Sequence, residues 1–414
     1  MSTHFAYINK KFSMIPYAKN IFRFSLTVIF SMSLQGVLAQ RGLPSEQPFT
    51  AEVNTFYPQH EEFKENMVSR LMVPAGLGVS VVATGLGKPR MMALAADGSI
   101  YVTRRDQGDV LLLSDKDGDG RMEELKTVMS QFRGVHGITI HEGFMYLCSD
   151  KELKRARIKP DGTLEDTTTL IKNLPDGGQH NNRVLAFGPD NLLYISVGSD
   201  CNDCAETNAE NATILQVQPD GKTRKIWARG LRNTVSFDWH PQTGEMWGAD
   251  NGTDWRGDSI PPEELNKIVE GGDYGWPLVF GKQQVDPTRE DPMGTTKAAY
   301  AKTTKPAVMT FPAHGAPVGF TFLAKASGFP KEWKQDALVG WHGSWNKQHP
   351  EGYKIQRIHF EGGNPVSVED FFTGFLSKDG KTRFGRPAGI LVTDKNFVYV
   401  SDDEGGVIYR IGLK

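Results

Sequence analysis

One turn-then-strand phrase recurs six times along the chain, and it constrains the fold more than any other feature. "AADGSIYVTRR", "HEGFMYLCSD", "GPDNLLYISVG", "HPQTGEMWGAD", "KQDALVGWHG" and "VTDKNFVYVSD" each place a turn signal before four or five residues of strand character. Most are followed by a second short strand, as in "GDVLLLSD", "KELKRARIKPDG", "ATILQVQPDG", "GYKIQRIHF" and "GGVIYRI". Asp, Asn or Gly at the joints makes each unit read as two consecutive strands of an antiparallel sheet. Six such units at intervals of tens of residues indicate radial repetition.

Helical periodicity is scarce: "PEELNKIVEG" and "HEEFKENMVSRL" are the best short helical stretches, and neither organises the chain. The 44 glycines and 23 prolines belong with a turn-rich all-β protein. The expected fold is therefore all-β, a six-bladed β-propeller of four-stranded antiparallel blades over residues 71–414. A first blade that merely abutted the last would leave an exposed seam, so the early strand "LGVSVVAT" is expected to join the final blade beside "GGVIYRI". Residues 40–70 would form an extension outside the ring. The stretch "PLVFGKQQVDPTREDPMGTTKAAYAKTTKP" would be an excursion between the fourth and fifth units.

Lys and Arg number 47 against 49 Asp and Glu, a formal charge of −2, so there is no global basic field for nucleic acid or an anionic membrane. At the N-terminus, Lys10, Lys11, Lys19 and Arg23 precede the apolar run "FSLTVIFSMSLQGVLA", and Val37 and Ala39 occupy the −3 and −1 places of a cleavage site. Residues 1–39 read as a signal peptide, leaving a periplasmic or secreted protein without a membrane span. The alternative is an uncleaved anchor, but the run of about 16 residues is short for a span of roughly 20.

The three cysteines fit an exported chain. Cys201 and Cys204 stand in "SDCNDCAE"; no His follows to attach haem, and no second CxxC completes a zinc site. A local Cys201–Cys204 disulfide is expected in an oxidising compartment, with Cys148 a small buried hydrophobe.

Polar residues just before an inner propeller strand project into the central funnel. His180, Asn181, Asn182 and Arg183 hold that place in the third unit, Arg232 and Asn233 in the fourth, Arg383 and Arg386 in the sixth, and Arg90 in the first. An isolated histidine there more often only bonds a neighbouring loop. Arginines recurring at one phase of the repeat are costly to bury unpaired and imply an anionic ligand; the alternative is pairing with strand-end carboxylates such as Asp250 and Asp402. In "GADNGTDWRGDSIPPEELNKI", Asp250, Asn251, Asp254, Asp258 and the carbonyls near Gly252 and Thr253 offer oxygens to a hard cation such as Ca²⁺. Asp115, Asp117 and Asp119 in "DKDGDGRMEE" have calcium-loop spacing, but Lys126 stands where an EF-hand has its bidentate Glu, and an Asp/Gly-rich turn explains them equally.

In this order, "GLGKPRMMALAADGSIYVTRR", "GLRN", "GEMWGADNG", "PPEELN", "GGDYGWP", "HGSWN", "GYKI" and "GRPAGI" resemble the recurring phrases of the soluble PQQ-dependent sugar dehydrogenases, in the branch labelled L-sorbosone dehydrogenase-like. The resemblance implies a six-bladed propeller with pyrroloquinoline quinone (PQQ) over the funnel and Ca²⁺ beneath it. It implies oxidation of an aldose or related sugar aldehyde by hydride transfer to the quinone, with electrons passing on to a cytochrome or quinone acceptor. His180 matches the family's catalytic base. Arg232 and Asn233 match the pair at the quinone, with Arg232 stabilising charge on the reduced cofactor. Arg386 and Arg383 match the basic residues that grip its carboxylates, and Asn182 and Arg183 join the cofactor-binding set. Asn251, Gly252 and Thr253 match the main-chain calcium loop. Arg183 lies one residue closer to the histidine than the arginine of the glucose-oxidising members, and Thr253 replaces a proline. His342, Asn346 and Lys347 lie near the funnel without a family counterpart. Two further readings stay open: a calcium-dependent lactonase-type propeller, which needs side-chain carboxylates around a central ion, and a non-catalytic glycan-binding propeller.

Overall fold

The structure, a computed structural model, describes residues 49–414. The signal peptide expected at 1–39 and residues 40–48 of the expected extension lie outside the described residues. Six antiparallel sheets of four strands form the ring. Blade 1 runs Met92–Leu94, Ile100–Arg104, Asp109–Ser114 and Glu124–Met129. The first strands of the other blades are Gly137–His141, Leu185–Phe187, Thr234–Trp239, Pro317–Phe322 and Pro387–Val392. First strands of most neighbouring blades touch one another, and that of blade 4 touches the second strand of blade 3, so they line the hub.

The repeated phrase marks the second strand of every blade. Those strands are covered on both faces by neighbouring blades: Leu193–Val197, Ala337–Trp341 and Val398–Asp402 are buried throughout. Continuous burial demands continuous apolar character, which is why the phrase is visible. Outer strands such as Glu124–Met129 and Leu164–Ile171 face solvent and carry polar residues, so they leave no such trace. Between blades 4 and 5, Trp247, Phe311, Phe320, Trp341 and Phe360 fill the seam. Each such buried side chain contributes on the order of 1.5–3 kcal/mol.

Closure follows the edge argument. Leu77–Ala83 pairs antiparallel with Val407–Leu413 as the outer strand of blade 6, with Val79 opposite Ile411. An early strand and the last thus share one sheet, and the ring has no seam. Before it, Gln59–His60 runs parallel to Thr382–Arg383.

Both helical expectations are corrected. The segment of "PEELNKIVEG" forms Glu263–Ile268, the third strand of blade 4, between Met246–Asp250 and Met309–Phe311. Its apolar spacing suits a helix, but sheet neighbours claim both of its faces. "HEEFKENMVSRL" gives only a 3₁₀ turn at Glu65–Arg70. The excursion lies between the third and fourth strands of blade 4. Its Gly272–Asp273 adds in parallel to Arg224–Arg229 of blade 3, and a five-residue helix, Lys297–Ala301, is capped by the Thr296 side chain. Among the described residues no helix is long and apolar enough to cross a membrane.

Candidate active site at the funnel mouth

Five blades contribute to a central cavity of about 310 Å³, within the range usual for small-molecule sites. Lys88 and Arg90 enter from the segment before blade 1, Arg105 and Asp106 from the turn between its second and third strands, and Asn182 and Asn233 from the segments before blades 3 and 4. Asn251, His342 and Asp403 follow the second strands of blades 4, 5 and 6. A wider hollow of about 620 Å³ shares Arg105 and Asp106 and adds Arg133, Asp150, Lys151 and Asn181. Asn181 is tied in by Arg105, whose Nη2 donates to its Oδ1 at 2.8 Å.

His180 directly precedes Asn181, which lines the wider hollow, and Asn182, which lines the cavity; it lines neither hollow itself. Its Nδ1 lies 2.8 Å from Ser199 Oγ and 3.1 Å from the Ser199 carbonyl. Burial, reinforced by the charges of Arg232 and Arg183, drives its pKa down to about 3, so the imidazole is neutral at ordinary pH. Among the described residues Nε2 has no hydrogen-bond partner. Gly198 makes room for this arrangement: a Cβ there would lie 2.6 Å from His180 Cβ and 2.9 Å from Asn233 Oδ1.

The arginines expected to converge on the funnel are placed differently, and none of Arg183, Arg232, Arg383 and Arg386 lines the cavity. Arg183 is fully buried and donates to the carbonyls of Asp150, His180 and Pro175. It braces the histidine loop rather than reaching a ligand. Arg232 bonds the Asn202 carbonyl and side chain and pairs with Asp254 at 3.0 Å. Arg383 is held by Glu404 and the Pro58 carbonyl, and Arg386 donates to the carbonyls of His342 and Gly343. Arg90 lines the cavity but pairs with Asp403. A guanidinium carries five donors, and at these depths carbonyls and carboxylates of adjacent loops satisfy them before any ligand does.

The loop expected to hold calcium directly follows the second strand of blade 4. Asn251 lines the cavity and donates through Nδ2 to the carbonyls of Asn233 and Pro317, each at 2.9 Å, leaving its Oδ1 open. The Gly252 amide donates to Glu263, and Thr253 Oγ1 accepts from Trp276. Among the described residues the carbonyls of Gly252 and Thr253 accept no hydrogen bond, so neutral oxygens remain for a hard cation. The carboxylates do not surround a central ion: Asp250 accepts from the amides of Arg232 and Asn233, Asp254 binds Arg232 and Asn346, and Asp258 binds Asn54. That removes the geometry a lactonase-type metal would use.

In the "DKDGDG" turn, Asp115 and Asp117 gather with Glu123, not Asp119. Asp119 instead caps the Arg121 amide, and Asp115 accepts from the Gly118 and Gly120 amides. Turn hydrogen bonding accounts for these residues. Cys201 and Cys204 are joined as a disulfide, and Cys148 is free and buried.

Lys88, Arg105, Asp106 and Asp403 are the charged lining residues that sequence reasoning passed over. A signal for two of them was present. The residue directly after each second strand is Arg105, Ser149, Gly198, Asn251, His342 or Asp403; four of these line the cavity and Gly198 accommodates His180.

A polar cavity at the hub of a six-bladed ring, with a neutral histidine two residues before Asn182 of its wall, defines a propeller with a small-molecule site in its funnel. The chain belongs to the glucose/sorbosone dehydrogenase family, whose pattern matches residues 86–370. The match is to the family as a whole, not to its sorbosone branch. An uncharacterized protein of Borreliella burgdorferi is 31% identical over 84% of this chain and 92% of its own length. Quinoprotein glucose dehydrogenase B of Acinetobacter calcoaceticus is 24% identical, covering 49% of this chain; the chain spans only 52% of that enzyme. The holo PQQ domain of pyranose dehydrogenase from Coprinopsis cinerea shares the fold, with a TM-score of 0.70 at 21% identity over 86% of this chain and 98% of that one.

Proposed function

We propose that this protein is an exported PQQ- and calcium-dependent dehydrogenase that oxidises an aldose or related sugar aldehyde at C1. The observation that supports it most directly is His180: a neutral ring, anchored through Nδ1, with Nε2 unpartnered among the described residues, two residues before Asn182 of the cavity wall. The lining fits an anionic, hydrogen-bonding cofactor. It carries three cations, Lys88, Arg90 and Arg105, against two carboxylates, Asp106 and Asp403, and the buried Asn182 Oδ1 has no partner among the described residues. Those cations, with Asn182, Asn233 and Asn251, would hold PQQ, which supplies a hydride acceptor when bound. Asn251, Gly252 and Thr253 would give calcium its oxygens.

His180 Nε2 accepts the proton of the C1 hydroxyl, a role worth about 10² to 10⁴ in rate. Its low pKa makes it a weak base in the empty site. Negative charge in the cavity opposes the Arg232 field and raises its basicity. Arg232 acts through that field, since its donors are already engaged. Electrons then leave for a cytochrome or quinone, and the signal peptide puts the reaction in the periplasm or outside the cell.

The test adds PQQ and Ca²⁺ to purified apoprotein and follows dye reduction with a panel of aldoses, while cofactor binding is measured separately. Turnover that His180→Ala abolishes without loss of bound PQQ supports the assignment. Absence of binding at micromolar PQQ ends it.

A further inference from the structure

We propose that the Cys201–Cys204 loop is a positioning element for the reaction: through Ser199 it fixes the tautomer of His180, and through Asn202 it holds Arg232 in place. Its catalytic purpose rests on the dehydrogenase reading; its geometry does not. The Ser199 hydroxyl donates to the Cys201 carbonyl at 2.7 Å, which uses its only proton. Toward His180 Nδ1, 2.8 Å away, that oxygen can therefore only accept. The Ser199 carbonyl, 3.1 Å from the same nitrogen, is also an acceptor. Both partners require the proton on Nδ1, which leaves the lone pair on Nε2, the nitrogen with no protein partner.

The two residues enclosed by the disulfide reach further. Asn202 Oδ1 accepts from Arg232 Nη2 at 2.7 Å and from the Asp254 amide at 2.9 Å, and its carbonyl accepts from Arg232 Nε at 3.0 Å. Asp203 pairs with Arg256. One short loop thus grips the strand end that carries His180's anchor and the segment that carries Arg232. A crosslink between residues three apart restrains little of the unfolded chain, so its contribution to global stability is small. Its effect is local: it sets where the Cys201 carbonyl and the Asn202 side chain sit.

The experiment uses the full-length mature apoprotein labelled with ¹⁵N-histidine, with His180→Gln identifying the His180 signals. The wild type shows His180 protonated on Nδ1 alone. Ser199→Ala, and separately the Cys201→Ser/Cys204→Ser pair, admit the Nε2–H tautomer with only a small change in melting temperature; Ser199→Thr restores the single tautomer. In protein loaded with PQQ and Ca²⁺, the first two lower kcat about tenfold while KM stays near its original value. An unchanged, single Nδ1–H tautomer in both Ser199→Ala and the paired serine variant overturns the proposal. A tautomer shift in a protein that never turns over sugar would leave the loop's positioning role standing and sink the dehydrogenase reading instead.

Discussion

Arg90 Nη1 lies 2.5 Å from Asp403 Oδ2, tying the segment that enters blade 1 to the end of the second strand of blade 6. The other Asp403 oxygen faces His342 Nε2 of blade 5 at 2.8 Å. Burial acts to raise the Asp403 pKa, but His342 and Arg90 outweigh it and hold the carboxyl well below the usual range. Burial pushes His342 down to about 4, so near neutral pH the histidine serves as a neutral hydrogen-bond donor and Arg90 supplies the charge. Three blades meet at this one carboxylate on the cavity wall.

Asp403→Ala leaves the Arg90 guanidinium buried without its counter-charge. The expected loss is roughly 3 kcal/mol, read as a drop in the denaturation midpoint at unchanged m. An unchanged midpoint would show that solvent reaches Arg90 and replaces the carboxylate.

Gly198→Ala places a methyl against His180 Cβ and the His180 carbonyl. The ring must shift, and displacement of about 1 Å costs on the order of 100-fold in kcat. Circular dichroism should remain that of the wild type. Full activity would mean that His180 is not held where the chemistry occurs.

His180 gives a pH dependence with a definite sign. Its folded pKa of about 3 lies below the ordinary value near 6.5, so the unfolded chain takes up the proton first as pH falls. Stability from this group is complete above pH 6.5 and declines as pH falls from there towards 3. In apoprotein, NMR titration of His180 should show no inflection between pH 5 and 8. A midpoint near 6.5 would place the ring in solvent.

Ring closure is tested at Ile411, which is fully buried and sits between Val79 and Val398. Ile411→Ala should cost about 2–5 kcal/mol, although it lies on the last strand of the chain. A loss below 1 kcal/mol would indicate that the terminal strand is not integral to blade 6.

The six second strands were legible because each is covered on both faces, which favours a largely apolar run between turn residues. The closing strand Leu77–Ala83 was legible too, because an open sheet edge is costly and few early segments had the right pattern to cover it. Glu263–Ile268 was misread because two carboxylates and a 3.6-type spacing outweigh, locally, a sheet environment that only distant strands provide. The chain itself therefore determined the ring, its closure and the presence of Asn182, Asn233 and Asn251 at the hub cavity, since periodicity and turn chemistry are local. Which guanidiniums face the cavity was decided only by the tertiary structure. A charge's partner depends on what lies within a few ångströms across blade boundaries, and Asp254, Asp403 and Glu404 are brought to their arginines by folding alone.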